Sequence, residues 1–454
     1  MNAELRYLES LMASGIRPGL GRMRVFLSAV GRPERAVPAV LVAGTNGKGS
    51  TAATLSSICC AAGYRTGLYT SPHLVSIRER WQLDGEPVGM RELRGAIARL
   101  RDAESKFEIT PTYFEALTLV TFILFEREKR EIAILEVGMG GRLDATNVVR
   151  PIASVITSIG LDHTEWLGTT IRAIAREKAG IIHRGSVAVT SARDETALAV
   201  IEKRADRLDV PFHPLHRECR ISRISADENG LAFTLETPDG RLRIESPLAG
   251  RHQVENIALA ARAAELIRPR FQRLERKTII RGIAATRWRG RLERFAIGDS
   301  SVWVDGAHNP QATECVAAFV EQTLPRPRTL VFGVLRDKHY DAMADRLFPL
   351  FDRIILTEPD SERALDARAA LAHFSERFDA PMDAVPRPRN ALVKALGQKG
   401  TVLVCGSLYL AGEAIATLDR LAVRDERRPS PRAARASSRP RPPRSTRGAG
   451  RNSR

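Results

Sequence analysis

Cysteines and long apolar runs are scarce in this sequence, and it contains no C-x-x-C pair. Its five cysteines predict free thiols in a reducing compartment, because such residues fit neither a disulfide framework nor a zinc site. No apolar run is long enough to cross a bilayer, and the first ten residues lack the apolar core of a signal peptide. We therefore expect a cytoplasmic protein without a membrane partner.

The net charge of +17 is unevenly distributed over the 454 residues. Eleven arginines and two acids between 424 and 454 contribute +9, which leaves +8 for the rest of the chain. This segment is rich in Pro, Ser, Gly and Arg, so it cannot bury a core and is expected to be a disordered tail. We favour a solvated extension over an arm that binds nucleic acid, and the moderately basic body suits anionic substrates.

The strongest local signal is the stretch AGTNGKGS at 43–50. It follows an apolar run that predicts a buried strand and precedes a run of small residues that predicts a helix. A glycine-rich turn in this context binds phosphate through backbone N–H groups and the helix N-terminus. Lys48 is expected to reach the outer phosphates, and the hydroxyl of Ser50 to lie where Mg2+ is held. The spacing departs from the general P-loop pattern by one residue between Lys48 and Ser50.

Three further polar residues follow or end predicted apolar strands, namely Ser71, Glu136 and His163. Because the carboxyl ends of parallel strands meet at one edge of a sheet, we expect these side chains to lie near Ser50. An acid at the end of an apolar strand is costly without a partner, and in a P-loop protein that partner is Mg2+. The sequence therefore predicts a site for a nucleotide and a metal ion.

The length predicts two domains, and the remaining segments outline them. A glycine-rich loop is expected at 17–23, and Thr112 with Glu115 predicts a capping box before a long apolar helix. Residues 186–245 alternate strand and turn signals, which predicts a small β-rich part of the first domain. A short basic hinge is expected at 286–292, followed by a second parallel α/β sheet.

Eight motifs, in order along the chain to about residue 412, resemble the folylpolyglutamate synthase and dihydrofolate synthase family of the Mur ligase superfamily. They are AGTNGKGS (43–50), TSPHL (70–74), TYFE (112–115), LEVGMGGRLDATN (135–147), LDHTEWLG (161–168), REKAG (176–180), DGAHNP (305–310) and VCGSLYL (404–410). The ordered set is much more specific than any one motif. It implies an α/β fold with a P-loop-type parallel-sheet ATPase domain over 1–287, a smaller Rossmann-like domain over 288–423, and the tail over 424–454 outside both.

The resemblance also implies roles for individual residues. Catalytic roles fall to Lys48, His163 and Lys178, and Lys178 is expected to be carbamylated so that it can hold a second metal ion. The Mg2+ ligands it implies are Ser71, Glu136 and His163, with Ser50 and Lys178 as further candidates. The ATP contacts are Thr45, Asn46, Gly47, Lys48, Gly49, Ser50, Asn256, Arg291, Asp305 and His308. Contacts to the pterin-bearing substrate are Gly19, Leu20, Gly21, Arg22, Thr112, Tyr113, Phe114, Glu115, Leu143, Asp144 and Ala145.

The implied activity is the ATP-dependent ligation of L-glutamate to dihydropteroate and to reduced folates through an acyl phosphate, by a monomer. Two departures from the family pattern are a glycine in the loop Gly19–Arg22, where an acid is common, and His339, which replaces the last acid of a G-x-x-x-D-K-D segment. A monofunctional folylpolyglutamate synthase remains the first alternative. Two others are a Mur-type ligase of a cell-wall precursor and a P-loop nucleotide-binding protein whose basic tail binds nucleic acid.

Overall fold

The computed structural model describes residues 3–426, which form three β-sheets. The strands of the first sheet are β1 Ala39–Ala43, β2 Thr66–Tyr69, β3 Trp81–Leu83, β4 Glu86–Pro87, β5 Ile132–Glu136, β6 Ala153–Ile156, β7 Val187–Thr190 and β8 Phe212–Pro214. A small sheet contains β9 Arg220–Asp227, β10 Gly230–Thr237 and β11 Gly240–Ser246. The third contains β12 Glu293–Ile297, β13 Ser300–Val304, β14 Arg328–Phe332, β15 Arg353–Leu356, β16 Met382–Ala384 and β17 Thr401–Cys405.

Helices connect most of these strands, as expected for α/β domains. Those of the first part are α1 Ala3–Ser10, α2 Gly21–Ala29, α3 Lys48–Ala61, α4 Met90–Glu104, α5 Tyr113–Arg127, α6 Thr164–Leu167, α7 Ile171–Ala179, α8 Glu195–Leu208, α9 Leu215–Glu218, α10 Gln253–Ile267 and α11 Arg276–Ala285. Those of the second part are α12 Pro310–Thr323, α13 Tyr340–Leu347, α14 Ala367–Ser375, α15 Pro388–Leu396 and α16 Leu408–Glu426.

The first sheet has the strand order β4-β3-β2-β5-β1-β6-β7-β8, with β1 at its centre. From β2 through β5, β1, β6 and β7 to β8, each strand is parallel to its neighbours in the sheet. At the other edge, β3 is antiparallel to β2, and β4 is antiparallel to β3. Leu41 of β1 packs in the core that includes α5, whereas Val40 and Val42 pack in the core that includes α3 and α10. This alternation buries β1 on both faces and leaves its carboxyl end free to carry the glycine-rich loop.

The interpretation of 186–245 as one β-rich unit is wrong for its first half. β7 and β8 are parallel strands of the first sheet, and α8 lies between them. The buried residues of α8 recur at helical spacing, namely Ala197, Leu198, Ile201 and Ala205. This spacing indicates a helix, which the turn signals around it obscure. The small separate sheet begins only at Arg220.

The predicted loop at 17–23 is shorter than expected. α2 begins at Gly21, so Gly21 and Arg22 lie in its first turn rather than in a loop. Met23, Phe26 and Leu27 are buried at helical spacing, and their packing fixes the start of the helix.

The third sheet has the order β12-β13-β17-β14-β15-β16 and is parallel except for the edge strand β12. We propose the domain boundary at 287/288, between α11, which packs on α3, and β12. Of the predicted tail, residues 424–426 end α16 and the remainder lies outside the described residues. Within 3–426, no helix combines the length and apolar character needed to span a bilayer, and all five cysteines are free.

Candidate functional site: a nucleotide cleft between two domains

The loop between β1 and α3 packs so closely on its neighbours that only glycine fits at two of its positions. A Cβ on Gly44 would lie 1.7 Å from Thr157 Oγ1, and one on Gly47 would lie 2.2 Å from Asn256 Oδ1. No side chain caps the N-terminus of α3 at Gly47. Because the first N–H groups of a helix have no partners within the helix, this end can receive a phosphate group.

Two lysines donate to the backbone of this loop. Lys48 Nζ lies 3.0 Å from the carbonyl oxygens of Gly44 and Thr45, and Lys178 Nζ lies 2.8 Å from that of Gly44. Lys178 is only 4% exposed, although its place near the end of α7 would by default make it a solvated lysine. Burial and the charge of Lys48 lower the pKa of Lys178 to about 7. Lys178 therefore lies beside the loop as a partly neutral amine.

Glu136 ends β5 directly beside β1, and only 5% of the residue is exposed. The N–H group of Ser71 donates to Glu136 Oε2 at 3.0 Å, and within the described residues this carboxylate forms no ion pair. Burial raises the pKa of Glu136, and the charge of Lys48 opposes that shift. A divalent cation fits here, since Mg2+ binds through one or two carboxylates and completes its shell with phosphates and water.

Ser50 and His163 reach the same edge of the sheet from two helices. Ser50 lies buried in the first turn of α3, and His163 precedes α6 in a left-handed conformation with φ 49°. Burial lowers the pKa of His163, against the opposing charge of Asp162, so the neutral imidazole is available. Between residues 3 and 426, no three His, Cys, Asp or Glu side chains converge as a metal cluster. The groups available to a divalent cation at this edge are thus one carboxylate, hydroxyl groups and an imidazole.

A cleft of about 520 Å³ lies between the phosphate loop and the second domain. The structure brings all ten predicted ATP contacts to its walls, together with Ser71, Glu136 and His163. Lys178 lines a smaller cavity that shares Lys48 and His163 with the cleft. The parallel sheet explains this convergence, because β2, β5, β1 and β6 are neighbours and end at one edge.

The second domain contributes a buried carboxylate and a buried imidazole to the cleft. Asp305 follows β13 and accepts hydrogen bonds from the N–H groups of Leu292 (2.9 Å) and Ala307 (2.7 Å). Burial raises the pKa of Asp305, and the charge of Arg291 opposes this. His308 Nδ1 donates to the carbonyl of Gly306 at 2.9 Å, and burial lowers its pKa to about 4. The neutral ring therefore leaves Nε2 as an acceptor.

Direct hydrogen bonds join the phosphate loop to the second domain. Asn46 Nδ2 donates to Gln311 Oε1 at 2.9 Å, and Asn309 Nδ2 donates to Asn46 Oδ1 at 3.2 Å. In the linker, Trp288 packs against Gly49, where a Cβ would lie 2.9 Å from its ring. The two domains thus meet at the residues expected to hold the phosphates.

Several polar groups predicted to contact the pterin-bearing substrate are already bonded within the protein. Thr112 and Glu115 form the expected capping box, and Glu115 also pairs with Arg22 Nε at 3.1 Å. Asp144 is buried and accepts hydrogen bonds from the backbone and side chain of Thr146. These side chains therefore stabilise the local structure, and few of their polar groups are left to bond a substrate.

The remaining residues of this set differ in exposure. Tyr113 and Phe114 are half-buried, Leu143 is exposed and Ala145 is buried. None of the eleven residues lines the nucleotide cleft itself. The two regions nevertheless adjoin, because Phe114 packs against Gly138, a residue of the cleft wall.

Sequence reasoning missed several residues of the cleft and its surroundings. Gln311 lies one residue beyond the DGAHNP motif, Trp288 lies in the predicted hinge at 286–292, and Lys338 lies directly before His339. Arg80 follows the TSPHL motif by six residues and was not singled out. The local sequence carries no signal for Arg80, because only the antiparallel pairing of β3 with β2 brings it to the edge of the sheet where β2 ends.

Two family models match this chain. The Mur ligase middle domain matches residues 42–264, and the Mur ligase, glutamate ligase domain matches residues 290–408. The dihydrofolate synthase/folylpolyglutamate synthase of Bacillus subtilis is 36% identical over 416 residues, which cover 90% of this chain and 96% of the relative.

Solved structures match over similar lengths. Mycobacterium tuberculosis folylpolyglutamate synthase complexed with ADP and AMPPCP has a TM-score of 0.84 at 32% identity, covering 92% of this chain and 98% of that one. Escherichia coli FolC in complex with DHPP and ADP has a TM-score of 0.81 at 31% identity, covering 92% and 97%.

Proposed function

The chain belongs to the dihydrofolate synthase/folylpolyglutamate synthase family of Mur ligases, and we propose how its cleft performs this chemistry. It is an ATP-dependent ligase that forms an amide bond. Its substrates are ATP, L-glutamate and a carboxylic acid, which is dihydropteroate in one reaction and a reduced folate in the other.

The first step transfers the γ-phosphoryl group of ATP to the carboxylate of the acceptor. A carboxylate oxygen bonds to phosphorus, the bond to the bridging oxygen of ADP breaks, and an acyl phosphate forms. This transfer depends on charge neutralisation and in-line positioning. The uncapped N-terminus of α3 and Lys48 bind the phosphates, and Asn256, Arg291 and Asp305 hold the rest of the nucleotide.

Glu136, Ser71, Ser50 and His163 would hold Mg2+, which when bound offsets phosphate charge. Lys178 would hold a second ion if its amine is carbamylated, because carbamylation replaces a cation by a carboxylate. The buried carboxylate of Glu136 without an ion-pair partner supports the first assignment. The low pKa of Lys178 supports the second, since only a neutral amine adds CO2.

In the second step the amine of L-glutamate attacks the acyl carbon, phosphate leaves, and the amine gives up a proton. An acyl phosphate hydrolyses readily, so water must be kept out until the amine arrives. The hydrogen bond that Asn46 donates to Gln311 and the one it accepts from Asn309 support closure of the second domain over the phosphate loop. Both domains belong to one chain, which supports a monomer as the active unit.

One observation carries this proposal. A phosphate loop with an uncapped helix N-terminus faces Asp305, Arg291 and His308 of a second domain across one cleft, and the motifs on both walls are those of the family. The five free cysteines further support a reducing, cytoplasmic location for the enzyme.

A product assay tests the proposal directly. Purified protein is incubated with Mg-ATP and L-glutamate, in parallel with dihydropteroate and with tetrahydrofolate, and the products are separated by mass. Glutamylated product from both acceptors is expected. Product from tetrahydrofolate alone would restrict the enzyme to folylpolyglutamate synthesis, and ATP binding without product from either acceptor would overturn the proposed function.

A further inference from the structure

Arg80 is a buried arginine with which no carboxylate of the described residues is paired. It ends a short 3-10 turn at Ile77–Arg80, immediately before β3, and is 7% exposed. The hydrogen bond of its side chain runs from Nε to His73 Nδ1 at 2.9 Å. Within residues 3–426 its guanidinium forms no ion pair with a carboxylate, and the side chain of Tyr113 is a further polar neighbour. The positive charge of Arg80 is therefore not balanced by an acid of the described residues.

Among the described residues, two other arginines with little exposure have their charge balanced. Buried Arg262 contacts Glu218, Asp239 and Glu265 at 2.8–3.1 Å, and half-buried Arg130, whose side chain is 10% exposed, contacts Asp84 at 2.6 Å. Leaving a buried charge unpaired is expensive, so an unpaired guanidinium in a folded protein indicates a ligand that supplies the opposite charge.

The surroundings of Arg80 indicate which ligand this is. Its guanidinium carbon lies 5.8 Å from the ring centroid of Tyr113, which begins α5 on the pterin side. Its charge also acts on Glu136, at the phosphate end of the cleft. Arg80 thus lies between the pterin region and the site of phosphoryl transfer.

We propose that Arg80 binds a carboxylate of the acceptor substrate, and this rests on the proposed function. If the pterin of the substrate lies near Tyr113 and its reacting group lies near Glu136, a carboxylate of the substrate comes close to Arg80. The planar guanidinium can offer two parallel N–H groups to the two carboxylate oxygens. His73 positions Arg80, because its Nδ1 accepts the Nε–H group and leaves the terminal nitrogens for the ligand.

Two carboxylates could occupy the position. One is the reacting carboxylate, which both acceptors carry, and the other is the α-carboxylate of a terminal glutamate, which dihydropteroate lacks. Steady-state kinetics of Arg80→Gln and Arg80→Lys with each acceptor separates these sources. Arg130→Gln is a matched control, since that side chain is comparably buried but is paired with Asp84.

We expect Arg80→Gln to raise the acceptor KM about 10- to 100-fold, the range for losing a charge-assisted contact, while the KM for ATP stays within about twofold. Arg80→Lys should raise the acceptor KM less than Arg80→Gln does, and Arg130→Gln should leave both KM values unchanged. An increase with both acceptors assigns the reacting carboxylate, and an increase with tetrahydrofolate alone assigns the α-carboxylate.

An unchanged KM for both acceptors would overturn the proposal. Equal increases in the KM for ATP and the KM for the acceptor would overturn it as well. Equilibrium dialysis of tetrahydrofolate and of dihydropteroate in the presence of a non-hydrolysable ATP analogue provides a readout that needs no turnover. If wild-type protein forms no product, the proposed function fails. Binding of either acceptor that is lost in Arg80→Gln but kept in Arg130→Gln would still support the assignment of Arg80, and binding unaffected by Arg80→Gln would overturn it.

Discussion

Lys178 and Lys48 donate to the same backbone oxygen, the carbonyl of Gly44, at 2.8 and 3.0 Å. Two ammonium groups converging on one carbonyl repel each other, and burial removes the water that would screen them. Burial first, and then the charge of Lys48, lower the pKa of Lys178 to about 7. The fold therefore produces a partly neutral amine beside the phosphate loop at physiological pH.

We predict that this amine adds CO2 to form a carbamate and release one proton. Lys178→Arg keeps a cation at Gly44 but cannot be carbamylated, so kcat should fall at least about 100-fold with the fold intact. Incubation of wild-type protein with 13C-bicarbonate should give a carbamate carbon signal in the NMR spectrum that Lys178→Arg lacks. Full activity of Lys178→Arg in CO2-free buffer would contradict the carbamate.

The Lys48→Met substitution removes the cation expected at the outer phosphates. Loss of one pre-positioned donor to developing charge should reduce kcat about 100- to 1000-fold, with little change in melting temperature. Lys203→Met, on the exposed face of α8, is the control and should retain normal turnover. Near-normal ligation by well-folded Lys48→Met would refute the role given to Lys48.

Closure of the domains can be tested at Gln311. Gln311→Ala removes its hydrogen bond to Asn46, a contact worth about 1 kcal/mol, so the KM for ATP should rise about fivefold while kcat changes less. Gln322→Ala lies on the same helix at an exposed position and should leave both constants unchanged. If Gln311→Ala also behaves like wild type, the bond contributes nothing to nucleotide binding.

Acid should destabilise the protein through His252. Burial and the charge of Arg291 lower the pKa of His252 to about 4, against about 6.5 in an unfolded chain. The neutral ring thus stabilises the fold above pH 6.5, and this stabilisation is lost as the pH falls from 6.5 through 4.

His252→Leu should therefore lose about 2 kcal/mol less stability than wild type between pH 8 and pH 5, measured by urea unfolding. His216→Leu changes an exposed histidine and should follow the wild-type curve. Parallel curves for wild type and His252→Leu would show that His252 titrates normally in the folded state.

The sequence predicted the secondary structure correctly where a motif lies at the boundary of a strand or helix. The strand, turn and helix around Lys48 were confirmed with boundaries close to those expected, as was the capping box of Thr112 and Glu115. Elsewhere turn residues obscured a helix. The start of α2 at Gly21 and the whole of α8 were missed because glycines and turn signals outweighed the buried helical spacing.

By itself the sequence determined the class of fold, the order of the motifs and the phosphate loop, because each depends on the spacing of residues close together in the chain. Tertiary structure alone decided which charges are buried and what faces them. The depressed pKa of Lys178, the unpaired guanidinium of Arg80 and the bond between Asn46 and Gln311, 265 residues apart, arise only when distant segments pack. Desolvation and long-range pairing leave no periodic trace in a sequence, so these features follow from the folded molecule.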